Sequence, residues 1–450
     1  MSIRLDWEIE AEQEHLRGAT EDPDIKRRRR RTQILFIVLV LLLLLVVGGI
    51  IGGISLRLRF VDWQVEQLLR DTVDAEIATL RIGDEGAYLT MQRSATEAWY
   101  QYQRTIFADY QILKALPNTS LEGEISAVMI DGTRGRVQVR EIINGVEIER
   151  VWFYWRYEDG WRHVPPDTTF WGDERTLETE FVTVSFQALD EPFARAVLDQ
   201  VTNWVTTGCQ ILTCDARPPI TIVITLTEPL AIGWVDDASW TMRLPSPYLD
   251  RMFVATPFSS TTQIAVADAL ADRLFTISAD NNAAVYPADA YYLRQAVVSW
   301  MVGRLTGART NSFLMESIAR NYGEFSIGRL VNALQPASSI AILNDVLAAP
   351  SLDAANLDWR DVLTWRLALE GELIDRGAQA EFVALYDPAA SALALARFNS
   401  NVRADGWVVT EVQPDIDTAG VPRLRVQADA NGAAQEVIFQ LAEGVWKRAS

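Results

Sequence analysis

The sequence predicts a membrane-anchored α+β protein, with one N-terminal transmembrane helix and an outer region that mixes helices with antiparallel strands. Three observations carry this. Ile34 to Ile54 form an apolar run with no charge, long enough to cross a bilayer as a helix. Beyond that run, segments with helical hydrophobic spacing give way to segments that alternate apolar and polar residues between Asp-Gly and Asn-Gly turns. The composition, 49% apolar in 450 residues, excludes wholesale disorder and allows about two to four domains.

Residues 1–32 read as a cytosolic tail. Its first 25 residues are rich in Asp and Glu, too polar to fold alone. Lys26 and the arginines at 27–31 then form a basic stop against anionic headgroups. Positive flanks stay in the cytoplasm, so the transmembrane helix at 33–55 is expected to leave everything from about residue 56 outside the cell membrane. Residues 1–33 hold eight acids and eight bases, so the net charge of −19 belongs to the outer region. That balance argues against nucleic acid as a partner. Gly48, Gly49, Gly52 and Gly53 make two overlapping GxxxG patterns, a face on which two such helices could approach closely as a homodimer.

The outer region reads as three domains, at 56–176, 177–352 and 353–450. The first opens with helices, WQVEQLLRDTVDAEIATLRIGD ending near Gly83 and AYLTMQRSATEAWYQYQRTIF. Four strand-like segments follow, EISAVMID, RGRVQVREII, EIERVWFYWRY and GWRHV. The rings of Trp99, Tyr100, Tyr102, Trp152, Phe153, Tyr154 and Trp155 are expected to be core, with Glu97 among them. His163 has no spaced partner in the sequence and reads as a hydrogen-bonded residue.

The middle segment starts with the strand FVTVSFQ, a helix expected to close at Gly208, and the strand PPITIVITL. RMFVAT and four helices complete it. Cys209 and Cys214 fall outside the membrane, where an oxidising compartment favours a disulfide. Ser259, Ser260, Thr261 and Thr262 have no His to activate them and read as an N-cap.

The last segment repeats the plan of the first. A helix breaks at Gly377, another follows, and the strands GWVVTEVQ, PRLRVQAD, AQEVIFQLAE and VWKRA close the chain. Laid together, Gly83 falls on Gly377, Tyr88 on Phe382, Tyr154 on Phe439, and Trp161-Arg162 on Trp446-Lys447.

Two resemblances follow from these residues. ATLRIGDEGAYLTM with WFYWRYEDGWRHVPP, and ELIDRGAQAEFVALYD, resemble the cone fold of the nuclear transport factor and ketosteroid isomerase superfamily. The order of elements in the middle segment resembles the peptidase-MA-like gluzincins, whose HExxH helix binds zinc and activates water. Laid on that pattern, VADALADRL and LRQAVVSWM put Asp268 and Asp272 at the two His positions and Ala269 at the general base. Gln295 takes the third-ligand position, and Ser299 the second acidic one. Ala269 cannot take a proton, and two Asp with a neutral Gln fall short of the oxygens a hard cation needs. The resemblance therefore implies an inactive pseudo-peptidase, with no catalytic residue, no metal and no cofactor. The expected function is binding or scaffolding at a bacterial envelope, toward a peptide, a small ligand or an envelope protein. The alternatives are a hydrolase with an atypical carboxylate site and a sensor that signals through its cytosolic tail.

Overall fold

The computed structural model describes residues 23–226, 231–279, 286–401 and 406–450. His15 and most of the acidic tail lie outside these residues. The fold is mixed α+β. The chain divides into two compact units, one comprising residues up to 115 with 122–137 and 152–165, the other 116–121, 138–151 and 166–450. The segments 177–352 and 353–450 thus share one unit.

The first unit begins with α1, Pro23–Ile82, a single unbroken helix of 60 residues. The apolar run and the helix expected from about residue 60 are continuous, because SLRLRFVDW between them contains no Pro or Gly to end a helix. None of the run's described residues is buried; it has a mean hydropathy of 3.5 and is long and apolar enough to cross a membrane. The far end of the same helix changes character. Leu69, Val73, Ile77 and Leu80 recur at helical spacing and are buried. Gly83 ends α1 at φ +86°, a left-handed conformation that costs a glycine little. Asp84 then caps α2, Glu85–Thr90, by accepting the Ala87 N–H at 2.9 Å. In α3, Glu97–Leu113, Trp99, Gln103, Phe107 and Tyr110 form the buried stripe.

The first sheet contains β1, Ser120–Asp131, β2, Arg134–Ile143, β3, Val146–Tyr157, and β4, Gly160–Val164. Its strands match the four alternating segments of the sequence. β4 folds back on β3 with Tyr154 opposite His163.

In the second unit, β5, Glu174–Glu178, β6, Val182–Gln187, β7, Ile220–Thr225, β8, Gly233–Trp234, and β9, Thr241–Pro245, form a mixed sheet in the order β5-β6-β7-β9-β8. β6, β7 and β9 run parallel. The short β5 and β8 edges were not legible as alternating runs. Helix α4, Glu191–Leu212, connects β6 to β7. It does not stop at Gly208 but runs on to Thr213, which takes the left-handed cap at φ 54°. Gly208 serves packing instead. A Cβ there would lie 2.8 Å from Leu274 Cδ1, so only glycine lets the neighbouring helix approach this closely. Cys209 and Cys214 are joined in a disulfide, with Cα atoms 4.9 Å apart, across the end of α4.

The two-residue β10, Met252–Phe253, precedes the helices α5, Ser260–Ser278, α6, Asp289–Thr306, α7, Phe313–Tyr322, α8, Phe325–Ala333, and α9, Ile342–Leu347. Ser259 is the N-cap of α5, accepting from Thr262 N–H at 3.3 Å. Three helices follow: α10, Arg360–Asp375, α11, Gln379–Ala384, and α12, Ser391–Ser400. Gly377, at φ +66°, separates the first two. The chain ends in an antiparallel sheet ordered β11-β12-β13-β14, at Val408–Ile416, Pro422–Ala430, Ala433–Ala442 and Val445–Arg448. One contiguous core runs from Val182 on β6 to Trp446 on β14.

Candidate functional site

Three places hold chemistry-bearing side chains. The first is the α5–α6 pair that carries the expected degenerate ligand positions. Asp268 and Asp272 stand one turn apart on α5, and Asp268 is exposed. Asp272 is already occupied. Its Oδ1 accepts from Arg294 Nη2 at 2.6 Å and Nε at 3.2 Å. The same guanidinium donates to Thr276 Oγ1 at 2.8 Å and lies over the Phe275 ring at 4.9 Å. Arg294 thus brings the positive charge that balances this face, from the position just before the expected ligand Gln295. Gln295 itself is exposed. Ser299 Oγ accepts from Ser312 Oγ at 3.1 Å, and the Ala269 carbonyl accepts from Trp234 Nε1 at 3.1 Å. Partial burial, followed by the charge of Asp272, raises the Asp268 carboxyl above its ordinary range. Among the described residues, no group of three or more His, Cys, Asp or Glu is placed to hold a metal ion.

The second place is a pair of buried carboxylate clusters, one in each unit. In the first, Glu76 of α1 is fully buried and bound on every side. His163 Nδ1 lies 2.7 Å from Oε1, the Gln92 amide donates to Oε1 at 2.8 Å, and the Tyr154 hydroxyl donates to Oε2 at 2.8 Å. Burial above all, then the Glu76 charge, holds the Tyr154 hydroxyl well above its ordinary range, so it stays a donor. Tyr88 donates to Gln103 beside them. The rings of Trp99, Trp152 and Tyr154 surround the imidazole at centroid distances of 5.5, 5.4 and 5.0 Å. His163 is therefore a core residue with a carboxylate partner, and the aromatic wall is its packing.

In the second unit, Glu370 of α10 does the same with different donors. Arg448 Nη1 donates to both carboxylate oxygens, at 2.9 and 2.7 Å, and Arg397 Nη2 donates to Oε2 at 3.3 Å. Tyr386 stacks on Phe382 at 5.3 Å, with the Arg448 guanidinium 5.7 Å from its ring. The repeat aligned in the sequence explains the likeness. The offset that lays Gly83 on Gly377 also lays Glu76 on Glu370, Gln92 on Tyr386 and Gln103 on Arg397. The offset that lays Trp161 on Trp446 lays His163 on Arg448. Both units close with the same parallel bridge, Gln92 to His163 and Tyr386 to Arg448. Sequence reasoning missed the two glutamates. The available signal was their equal spacing, each seven residues before its helix-ending glycine.

The third place is a groove of about 730 Å³ in the second unit. One wall comes from α7 and the loop before α10, including Arg320, Asn356 and Trp359. The other comes from β11 and β12, with Trp446 also in the lining. Most of its charges are matched locally. Asp358 pairs with Arg360 at 2.7 Å, Arg423 with Asp417 at 3.2 Å, and Asp415 with Arg425 at 3.3 Å. Arg320 has no ion-pair partner among the described residues. The indole N–H of the buried Trp446 has no acceptor among the described residues. None of Asp268, Asp272 or Gln295 lines this groove.

Comparison of the chain with protein-family models, curated proteins and solved structures finds no match.

Proposed function

We propose that this protein is a non-catalytic binding or scaffolding protein, held at the outer face of a cell membrane by α1, with the groove of the second unit as its binding surface. The groove carries this reading. It combines aromatic and apolar walls with an exposed arginine, the mixture that binding sites use to gain area and orientation. The pseudo-peptidase reading points the same way, since Ala269 offers no proton acceptor where a gluzincin places its general base. The basic flank at residues 27–31 supports an inside N-terminus. The same reading includes a homodimer through Gly48, Gly49, Gly52 and Gly53, where a Cβ would meet nothing within 4 Å and the helix face stands open.

The test is capture from solubilised bacterial envelope by the full chain in nanodiscs, run beside Arg320→Glu. Binding that the variant loses supports the groove. Equal capture by both proteins overturns it. Peptide cleavage abolished by Asp268→Asn with Asp272→Asn would instead establish the hydrolase alternative.

A further inference from the structure

We infer that the membrane-proximal end of the first unit, together with residues 57–63 of α1, rests on the headgroups of anionic phospholipids in the outer leaflet. The inference rests on the membrane-anchor reading above and names a second surface and its partner.

The length of α1 sets where the outer headgroups fall. A bilayer with its headgroups is about 40–45 Å thick, which at 1.5 Å per residue is about 27–30 helical residues. Counted from Arg31, the end of the basic flank, an upright helix reaches the outer headgroups at about residues 58–61, and a tilted one a few residues later. Arg57, Arg59, Phe60 and Trp63 stand at that level, all exposed, with the Phe60 and Trp63 rings 5.9 Å apart. Guanidiniums pair with phosphate, and indole rings settle among headgroups. The helix does not break before the first unit begins. Leu69, the first buried residue of α1, follows Trp63 by about 9 Å along the axis, so the unit stands directly on this segment with no loop between them.

The hairpins of the unit complete the surface. A Cβ at Gly123 would run into Ile77, and one at Gly135 would lie 2.6 Å from Leu69 Cδ2, so the β1–β2 hairpin points its turn, at residues 131–134, toward the bilayer. The Arg156 N–H donates to the Thr133 carbonyl at 2.8 Å, which sets the β3–β4 turn beside it. Met129 and Trp155, both about half exposed, flank these turns. Charge names the lipid. Segments 57–63, 129–136 and 155–162 hold six arginines against four acids. The opposite end of the unit, where Lys114 Nζ donates to the Arg81 carbonyl at 3.1 Å, reverses the sign. There, segments 81–85, 109–115 and 122–124 hold five acids against two bases. At the membrane end Asp131 is matched by Arg134 at 2.6 Å, and Asp159 by Arg162 at 2.9 Å. Arg57, Arg59 and Arg156 are exposed with no acid partner among the described residues, against two unmatched acids, Asp62 and Glu158. A basic end on a chain of net charge −19 fits an anionic surface.

The experiment places a fluorophore at Thr133→Cys in the full chain, in nanodiscs of phosphatidylcholine that carry a small fraction of spin-labelled quencher lipid. The native cysteines are joined in a disulfide, so the label goes to the new thiol. The quencher is either phosphatidylglycerol or phosphatidylcholine, with the same acyl label. The expected result is quenching about fivefold stronger from the anionic lipid, the gain of a single arginine near such a surface. The same label at Ala115→Cys, at the far end of the unit, is quenched by neither. The preference falls toward one in Arg59→Glu with Arg156→Glu, and in the unaltered background at about 0.5 M salt. All four substituted positions are exposed, so unchanged thermal unfolding curves are expected to show folded variants. Equal quenching by the two lipids overturns the inference, as does equal quenching at positions 133 and 115. Quenching by neither lipid, with Thr133→Cys linking two chains, identifies a second copy as the occupant and also overturns it. In each of these cases the anchor reading stands. A chain that does not co-purify with the discs overturns both.

Discussion

Glu76 and Glu370 solve one problem in two ways. Each is a buried carboxylate near the end of a helix, seven residues before a left-handed glycine, and each faces a closing strand joined back to the chain by a parallel bridge. A carboxylate taken out of water must be compensated. Around Glu76 the donors are an imidazole, an amide and a phenol. Around Glu370 they are two guanidiniums. Arginine is charged at every accessible pH, while histidine is charged only when protonated. The backbone device is shared, and the charge that fills it is free to differ. A fold can therefore keep a buried acid as a fixed point and let each copy choose its own donor.

The largest expected effect breaks the second cluster. Arg448→Ala leaves Glu370 with Arg397 alone at 3.3 Å, and removing one partner of a buried pair typically costs about 3–5 kcal/mol. Urea unfolding of the full chain, with hydrogen exchange to locate the loss, should show residues 360–450 destabilised and the first unit unaffected. The matching change in the first cluster is milder. His163→Gln leaves the Gln92 and Tyr154 donors in place and keeps a donor in the mutated side chain. A cost of about 1–2 kcal/mol is expected, confined to the first unit. If the two variants cost the same, the donor sets are equivalent and the contrast between them is lost.

Asp361 sharpens the comparison, as a half-buried carboxylate with no cation in ion-pair reach among the described residues. It accepts both Leu314 and Val362 N–H groups, yet burial outweighs these bonds and lifts its pKa to about 6. A folded-state pKa above the unfolded value means the folded state binds the proton more tightly. The contribution is therefore fully present below about pH 4 and lost as pH rises through about 6. The shift corresponds to about 2–3 kcal/mol. Asp361→Asn should flatten the stability profile between pH 4 and pH 7. An unchanged slope would show that other groups set it.

Much of this could be read from residue pattern. The apolar run, the Asn-Gly and Asp-Gly turns, the glycine breaks at 83 and 377 and the aligned tryptophans are local signals, and the structure contains each of them. What was not legible depends on distance along the chain. Glu76 and Glu370 look like the polar face of an amphipathic helix, and only the return of residues 163 and 448 makes them buried. Gly208 carries a helix-ending residue type but sits under Leu274, a contact 66 positions away. Nothing in the sequence joins Arg320 to Ile416, so the groove appears only once α7 and β11 are placed side by side.

The smallest expected effect concerns the pair that replaces the gluzincin-like ligand set. Asp272 is half exposed, with 49% of its side chain open to solvent, while Arg294 is largely covered. Ion pairs in such a setting contribute about 1 kcal/mol or less. Arg294→Gln should therefore change stability little, well below the loss at Arg448, although both remove an arginine from a carboxylate. The informative readout is the helix face it uncovers. Without the guanidinium, Asp268 and Asp272 repel each other at one-turn spacing, and the charge that balanced them is gone. If the pseudo-peptidase reading is right, zinc titrated into the variant finds two carboxylates and a neutral amide, and isothermal titration shows no stoichiometric binding. Tight one-to-one binding would mean that Arg294 had been masking a competent cation site, and the hydrolase alternative would then have its metal.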